Sequence, residues 1–191
     1  MTQNSPEIIV FFGMIATGKS TLAKLWAETH GMRYYNSDVI RKDLAGTAAR
    51  LSSKSSFGNG IYSSDFSRKT YDQMLEKAET AIRNNRSVVL DASYSSMENR
   101  LAVIALAEKR HVPAWFIYCT CPENEMRRRM ELRAQDLLSV SDGRWEIYQQ
   151  QKTTFEPPAH LGKLLITIDT SSPPEQLLKK LKPLIVGRKS S

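Results

Sequence analysis

The chain has 191 residues, 41% apolar and 25% charged, with a net charge of +7 from 27 basic and 20 acidic side chains. That length and balance fit one soluble globular domain around a single core, and no apolar run approaches the ~20 residues that a membrane-spanning helix needs. Cys119 and Cys121 are too close in sequence for an easy bridge and no Cys/His cluster accompanies them, which argues against a disulfide scaffold or a zinc site; residues 1–7 lack the features of a secretory leader, so the expected setting is reducing and cytoplasmic.

In chain order, Ile8-Ile9-Val10-Phe11-Phe12 is an all-apolar run and reads as a strand buried on both faces. Residues 19–30 read as a helix with Leu22, Ala23, Leu25 and Trp26 inside and Gly31 as its stop. Tyr34-Tyr35-Asn36 is a second short strand, and 38–45 a short helix ending at Gly46. The 18 residues from 46 to 63 are rich in Ser, Gly and Asn. A connection of that length in a compact domain reads either as a functional loop or as a mobile surface loop. Tyr71, Met74, Leu75, Ala78, Ala81 and Ile82 recur at helical spacing and predict a helix from about 65 to 84. Ser87-Val88-Val89-Leu90-Asp91 is a strand with an acid at its end. Ser95 and Glu98 read as a capping box that opens a helix to about residue 110. Pro113 to Tyr118 is a strand, and Cys121-Pro122-Glu123 starts a helix with Pro at its first position. A loop over 136–143, a short helix over 144–153 and a last strand, Leu164 to Ile168, follow. The final helix, 174–186, is expected to be interrupted or bent at Pro183, with Lys179, Lys180, Lys182, Arg188 and Lys189 forming a solvated face and a frayed end.

Five short strands alternating with helices predict an α/β fold with a central parallel sheet. Ligands of such sheets sit beyond the carboxyl ends of the strands. Gly13-Met14-Ile15-Ala16-Thr17-Gly18-Lys19-Ser20 stands at one such end and matches the phosphate-loop pattern G-x-x-x-x-G-K-[ST]. Glycines there let backbone N–H groups turn toward phosphate oxygens, and the following helix offers its positive end to the same anion. Gly13, Ala16, Thr17, Gly18, Lys19, Ser20 and Thr21 are therefore the expected ATP-binding residues. Lys19 would reach the β- and γ-phosphates and Ser20 would ligate Mg2+.

Two acids lie at strand ends. Asp91 reads as a Walker-B-type residue acting on Mg2+ directly or through water, so Ser20 and Asp91 form the expected metal set. Asp38, on spacing alone, reads as a helix N-cap. Arg129 and Arg133 share a helix face at i and i+4, placed to close over a triphosphate, with Arg127 pointing elsewhere. The positive net charge asks for an anionic ligand. The basic residues are scattered outside Arg127-Arg128-Arg129 and Arg133, which permits a nucleic-acid partner but favours a small anion.

These residues, with Asn36-Ser37-Asp38-Val39-Ile40-Arg41-Lys42, Gly60-Ile61-Tyr62-Ser63 and Phe155-Glu156-Pro157-Pro158, resemble the P-loop kinases labelled "AAA domain" or zeta-toxin-like. The chain is similar to a stand-alone counterpart of an ATP-binding domain that some bacteria fuse to an aminoglycoside-phosphotransferase-like domain. More distantly it looks like gluconate kinase, chloramphenicol phosphotransferase and the kinase domain of polynucleotide 5′-kinases. The resemblance implies a three-layer P-loop NTPase fold over 1–191, with a five-stranded parallel sheet and a lid at about 134–146. It implies Asp38 as general base in the acceptor pocket, Arg41 against the acceptor or its phosphoryl group, Arg129 and Asp169-Thr170 near the nucleotide base, and Arg133 acting from the lid. The expected function is transfer of the ATP γ-phosphoryl group to a hydroxyl of a small molecule. A polynucleotide 5′-hydroxyl kinase and an ATP-binding regulatory module are the alternatives.

Overall fold

The computed structural model describes residues 5–46, 64–134 and 145–189, with the backbone alone at 133, 134, 188 and 189. Most of the 46–63 loop and of the expected lid lies outside them, as does the Arg133 side chain. The elements are β1 (Ile8–Phe12), α1 (Lys19–His30), β2 (Arg33–Asn36), α2 (Ser37–Leu44), α3 (Ser64–Arg83), β3 (Val88–Asp91), α4 (Met97–Arg110), β4 (Ala114–Thr120), α5 (Glu123–Ala134), α6 (Trp145–Thr154), a 3-10 segment (Pro158–Leu164), β5 (Leu165–Asp169) and α7 (Pro174–Lys189).

The five strands form one sheet in the order β2-β3-β1-β4-β5, every pair parallel. All five residues of β1 are fully buried. Ile8, Val10 and Phe12 pack on the side of α3 and α4; Ile9 and Phe11 pack on the side of α1 and α7. At roughly 1.5–3 kcal/mol per buried large side chain, this central strand anchors both helical layers. The chain leaves β1 toward α1 and leaves β3 toward α4, on opposite faces. A crevice opens where such neighbours diverge, beyond the strand ends.

Several boundaries differ from the sequence reading for local reasons. Helix α4 is capped by Ser96, whose hydroxyl accepts from the Asn99 N–H at 3.3 Å, and not by the Ser95–Glu98 box. The Ser95 carbonyl is instead taken by the Glu156 N–H at 2.9 Å, which pulls Ser95 out of the cap position. Pro122 stands one residue before α5, its carbonyl accepting from the Met126 N–H at 3.1 Å. Helix α7 runs through Pro183 to Lys189 without interruption. The 3-10 segment, kinked at Gly162 (φ +48°), carries no periodic pattern that would have announced it. No helix of the described residues is long and apolar enough to cross a membrane, and none of their His, Cys, Asp and Glu groups forms a three-ligand metal cluster. Cys119 and Cys121 are free thiols. Burial pushes the Cys119 thiol far above its usual range, which leaves it inert.

Candidate active site

The phosphate loop folds back over the end of β1 through three left-handed residues, Gly13 (φ +142°), Ala16 (φ +61°) and Gly18 (φ +79°). Gly18 is the N-cap of α1 and supplies no side-chain cap, and the first turn holds no acid. The amides that every helix leaves unpaired at its start are thus unopposed by side-chain acceptors, in a backbone shape that receives anions. Thr17 Oγ1 donates to the Met14 carbonyl at 2.8 Å, and Lys19 Nζ donates to the same oxygen at 3.4 Å. The Gly13 N–H donates to the Ser93 carbonyl at 3.3 Å and the Ile15 N–H to Gln151 Oε1 at 2.8 Å. The loop is thereby tied to the exit of β3 and to α6. A Cβ on Gly13 would lie 2.4 Å from the Cys119 carbonyl oxygen, a backbone atom of β4. Gly13→Ala is therefore expected to cost roughly 2–4 kcal/mol of stability, read as a fall in Tm by thermal unfolding. An unchanged Tm would mean that the loop relaxes freely.

Asp91 ends β3 and is fully buried. The register that sets Asn36 opposite Asp91 lets two donors converge on one carboxylate oxygen. Tyr34 Oη and Asn36 Nδ2 each donate to Asp91 Oδ2 at 2.6 Å. Oδ1 has no hydrogen-bond partner among the described residues. Burial pushes the Asp91 carboxyl above its ordinary range, against the opposing pull of the Lys19 cation, the Tyr34 and Ser20 hydroxyls and the Asn36 amide. Burial, with the Asp91 charge, also drives the Tyr34 hydroxyl far upward, so it stays a donor. Ser20 and Asp91 line the same chamber. The Ser20 hydroxyl and the Asp91 carboxylate form an all-oxygen set, and the orphaned buried Oδ1 is an acceptor in need of a partner. Both features suit a hard divalent cation such as Mg2+, met directly or through its water.

The N-cap expected at Asp38 is occupied by Asn36, whose Oδ1 accepts from the Asp38 N–H at 3.0 Å and the Val39 N–H at 3.1 Å. Asp38 is thus left in the first turn of α2 with its carboxylate unused by the cap. Arg41 Nη1 donates to Asp38 Oδ1 at 3.1 Å, with the Arg41 side chain only 10% exposed and that of Asp38 35% exposed. Both residues line a chamber of about 260 Å3 together with Lys19, Ser20 and Asp91.

The far wall of the chamber is held by a buried cation. Arg100, fully buried, donates from Nη1 to the Tyr94 carbonyl at 2.7 Å and from Nη2 to the Glu156 carbonyl at 2.9 Å. It lies over the rings of Phe12 and Phe155, at 5.9 and 5.8 Å from their centroids. Tyr94, whose carbonyl Arg100 holds, has φ +42°, a strained conformation for an aromatic residue. Its N–H donates to Tyr71 Oη at 3.2 Å. Arg100 therefore clamps the 92–96 turn to the segment after α6. Arg100→Ala should lower stability by roughly 2–4 kcal/mol, because the buried Tyr94 carbonyl and the Glu156 carbonyl lose their donor; urea titration checks it, and a midpoint shift near zero would show that the clamp is dispensable.

A second cavity, of about 330 Å3, lies behind the phosphate loop and is lined by Gly18, Thr21, Leu22, Arg129, Leu132 and Thr170, among others. Arg129 donates to the Thr170 carbonyl at 2.7 Å, to Thr170 Oγ1 at 3.3 Å and to Glu125 at 2.7 Å. Thr170 Oγ1 in turn donates to the Thr17 carbonyl inside the phosphate loop. Arg128 and Arg129 beside Glu125 hold its carboxyl down at about 2. Arg129 is thus wired to the loop rather than extended over the first chamber. Arg127 does point elsewhere, lying 3.9 Å over the Trp145 ring. Arg129→Ala should weaken ATP binding by about tenfold, roughly 1.4 kcal/mol, measured by calorimetry. Arg129→Lys should recover little, because a lysine lacks the fork that spans Glu125 and Thr170.

The structure thus gathers Lys19, Ser20, Asp38, Arg41 and Asp91 around one chamber, and Gly18, Thr21 and Arg129 around the other. Asp169 is not among the lining residues. Its carboxylate accepts from the N–H and hydroxyl of Ser171, and the adjacent Thr170 takes the place in the cavity wall. Sequence reasoning missed Tyr34 and Asn36 as partners of Asp91, Arg100 as a clamp, and Asn99 and Gln151 as chamber walls. Only Asn36 carried a signal, standing at a strand end just before a helix.

The family described as "AAA domain" matches residues 8–158. Uncharacterized protein Rv2004c of Mycobacterium tuberculosis (strain ATCC 25618 / H37Rv) is 28% identical over 122 residues, covering 64% of this chain and 24% of that protein. The chain therefore spans about a quarter of the length of the curated relatives it matches. A sugar kinase from Janibacter sp. HTCC2649 has a similar structure, with a TM-score of 0.66 at 19% identity over 95% of each chain. A gluconokinase from Sinorhizobium meliloti 1021 gives a TM-score of 0.65 at 19% identity, over 97% of this chain and 95% of that one. At these identities the likeness concerns the fold alone.

Proposed function

This chain belongs to the AAA-domain family, and on that premise we propose that it transfers the γ-phosphoryl group of ATP to a hydroxyl of a small-molecule acceptor. One observation carries the reading: the phosphate-loop residues Lys19 and Ser20 and the acid–base pair Asp38–Arg41 line one and the same chamber. A donor phosphate on the loop and an acceptor beside Asp38 would meet there, and holding them together is most of what phosphoryl transfer requires. The fold shared with a sugar kinase and a gluconokinase supports the same reading.

In this account the backbone of Gly13, Ala16, Thr17 and Gly18 cradles the phosphates, Lys19 neutralises the β/γ oxygens, and Thr21 and Arg129 border the space for the nucleoside. Asp38 takes the proton of the acceptor hydroxyl, and Arg41 holds that carboxylate in place through a charge-assisted hydrogen bond. Arg133 contributes from the lid, and Asp169 turns the chain so that Thr170 borders the base. Ser20 and Asp91 would hold Mg2+, which when bound offsets phosphate charge.

Incubation with ATP radiolabelled at the γ position tests this. The panel comprises sugars, cyclitols, nucleosides and an oligonucleotide with a free 5′-hydroxyl. Label is expected on the oxygen of a small acceptor, and Lys19→Ala should abolish it. Label found only as inorganic phosphate, at a rate that no compound changes, would contradict the reading and favour an ATP-driven switch. Label on the oligonucleotide alone would favour the polynucleotide kinase.

A further inference from the structure

We propose that the acceptor is a neutral polyhydroxy compound of single-ring size, and that Asn99 is a specificity residue for it. The inference rests on the phosphotransferase reading above and deepens it.

Charge among the described lining residues of the chamber is balanced. They include two cations, Lys19 and Arg41, and two acids, Asp38 and Asp91. Lys19 belongs to the phosphate loop, folded against the Met14 carbonyl. Arg41 is engaged with Asp38 at 3.1 Å. A carboxylate or phosphate on the acceptor would find no further cation among the described lining residues, and it would face the Asp38 carboxylate. Burying an unmatched anion there is costly, whereas anion sites elsewhere use dedicated Arg or Lys donors.

The remaining polar lining is neutral and bifunctional. Ser67 and Ser95 carry hydroxyls that both donate and accept. Ser96 Oγ accepts from the Asn99 N–H, which leaves its own hydrogen to donate. Gln151 spends Oε1 on the Ile15 N–H and keeps its Nε2 donors. Asn99 lines the chamber, and its side-chain amide makes no hydrogen bond with a described residue. Groups that donate and accept at once are matched by ligand hydroxyls, which do the same. Ile15 and Ile147 add apolar wall for the C–H face of a ring. The volume, about 260 Å3, lies just below the ~300–1,000 Å3 common for ligand sites, and since the γ-phosphoryl group shares it, the acceptor is limited to about one ring.

The step balances within the chamber. The acceptor oxygen forms the bond to Pγ, the bond from Pγ to the β–γ bridging oxygen breaks, ADP leaves, and the hydroxyl proton passes to Asp38.

The test measures kcat/KM by ADP release for two matched sets. Myo-inositol, D-glucitol and D-ribose are neutral; D-gluconate and the phosphate monoesters of the same polyols are anionic. The best neutral compound is expected to exceed its anionic counterpart by at least about tenfold, and Asn99→Ala should raise its KM about tenfold with kcat and the KM for ATP little changed. Preference for an anionic compound would overturn the inference and leave the phosphotransferase reading standing. An unchanged KM in Asn99→Ala would remove the role given to Asn99. ADP release unaffected by every member of both sets would overturn this inference, and the radiolabel panel above would then decide the phosphotransferase reading separately.

Discussion

Asp38→Asn is expected to slow acceptor-dependent phosphoryl transfer by about 10²–10⁴-fold, the usual contribution of a general base, while ATP binding stays near its native affinity. The substitution is chosen for its shape. Asn retains an Oδ1 that can accept from Arg41 Nη1, now at 3.1 Å from the Asp38 carboxylate, so the chamber should keep its form. The α2 cap is untouched, because Asn36 and not Asp38 makes it. What disappears is the carboxylate proposed to accept the proton. Equal loss of transfer and of ATP binding would show that residue 38 serves the donor side, and the base assignment would fall.

Asp91→Asn is expected to do two opposite things. Mg2+-dependent turnover should drop by about 10–100-fold or more, as for other residues that orient a metal or its water. Stability of the nucleotide-free protein at neutral pH should rise by roughly 0.5–2 kcal/mol, because a buried carboxylate with an unpartnered oxygen is replaced by a neutral amide. The geometry favours retention of both existing bonds, since Tyr34 and Asn36 donate to one and the same oxygen. A single amide oxygen can accept both, with the amide nitrogen in the place of the unpartnered Oδ1. The pH dependence follows from the direction of the shift. Burial raises the folded carboxyl above its reference value of 3.8. The folded state therefore binds the proton more tightly than the unfolded chain, and Asp91 favours folding at acid pH. That contribution is complete below the unfolded value and is lost as pH rises through the folded value. The Tm advantage of Asp91→Asn should accordingly be absent at low pH and grow toward neutrality. A variant less stable than the native protein at neutral pH would show that the carboxylate is held by contacts that outweigh its burial.

The two predictions rest on residues that differed in legibility. Lys19 and Ser20 sit in a contiguous motif after an apolar strand, so the sequence alone located them. The same holds for β1, β3 and β4, whose buried apolar runs need no long-range information, while β2 and β5 are partly exposed strands at the two edges of the sheet. Asp91 was legible as a strand-end acid, but its two donors were not, because they come from β2 through a register between strands. Asp38 was half legible: its competing reading as a cap disappeared only once the Asn36 side chain was seen to hold both amides. Ser95 lost its cap to Ser96 through a bond to Glu156, 61 residues away in sequence. Gln151 and Thr170 reach the phosphate loop from α6 and from the end of β5. No local pattern encodes such contacts, since they depend on how helices pack and not on propensity.

In the proposed reaction, donor and acceptor share one chamber. The most direct measurement of this is a crystal structure of the protein with a non-hydrolysable ATP analogue, Mg2+ and an acceptor that turns over. The analogue's phosphates are expected on the loop from Gly13 to Ser20, with one acceptor hydroxyl within hydrogen-bond reach of Asp38, about 2.6–3.2 Å, facing the γ-phosphoryl group. An acceptor bound elsewhere, with Asp38 turned to Arg41 alone and no hydroxyl near the γ-phosphate, would contradict the proposed reaction.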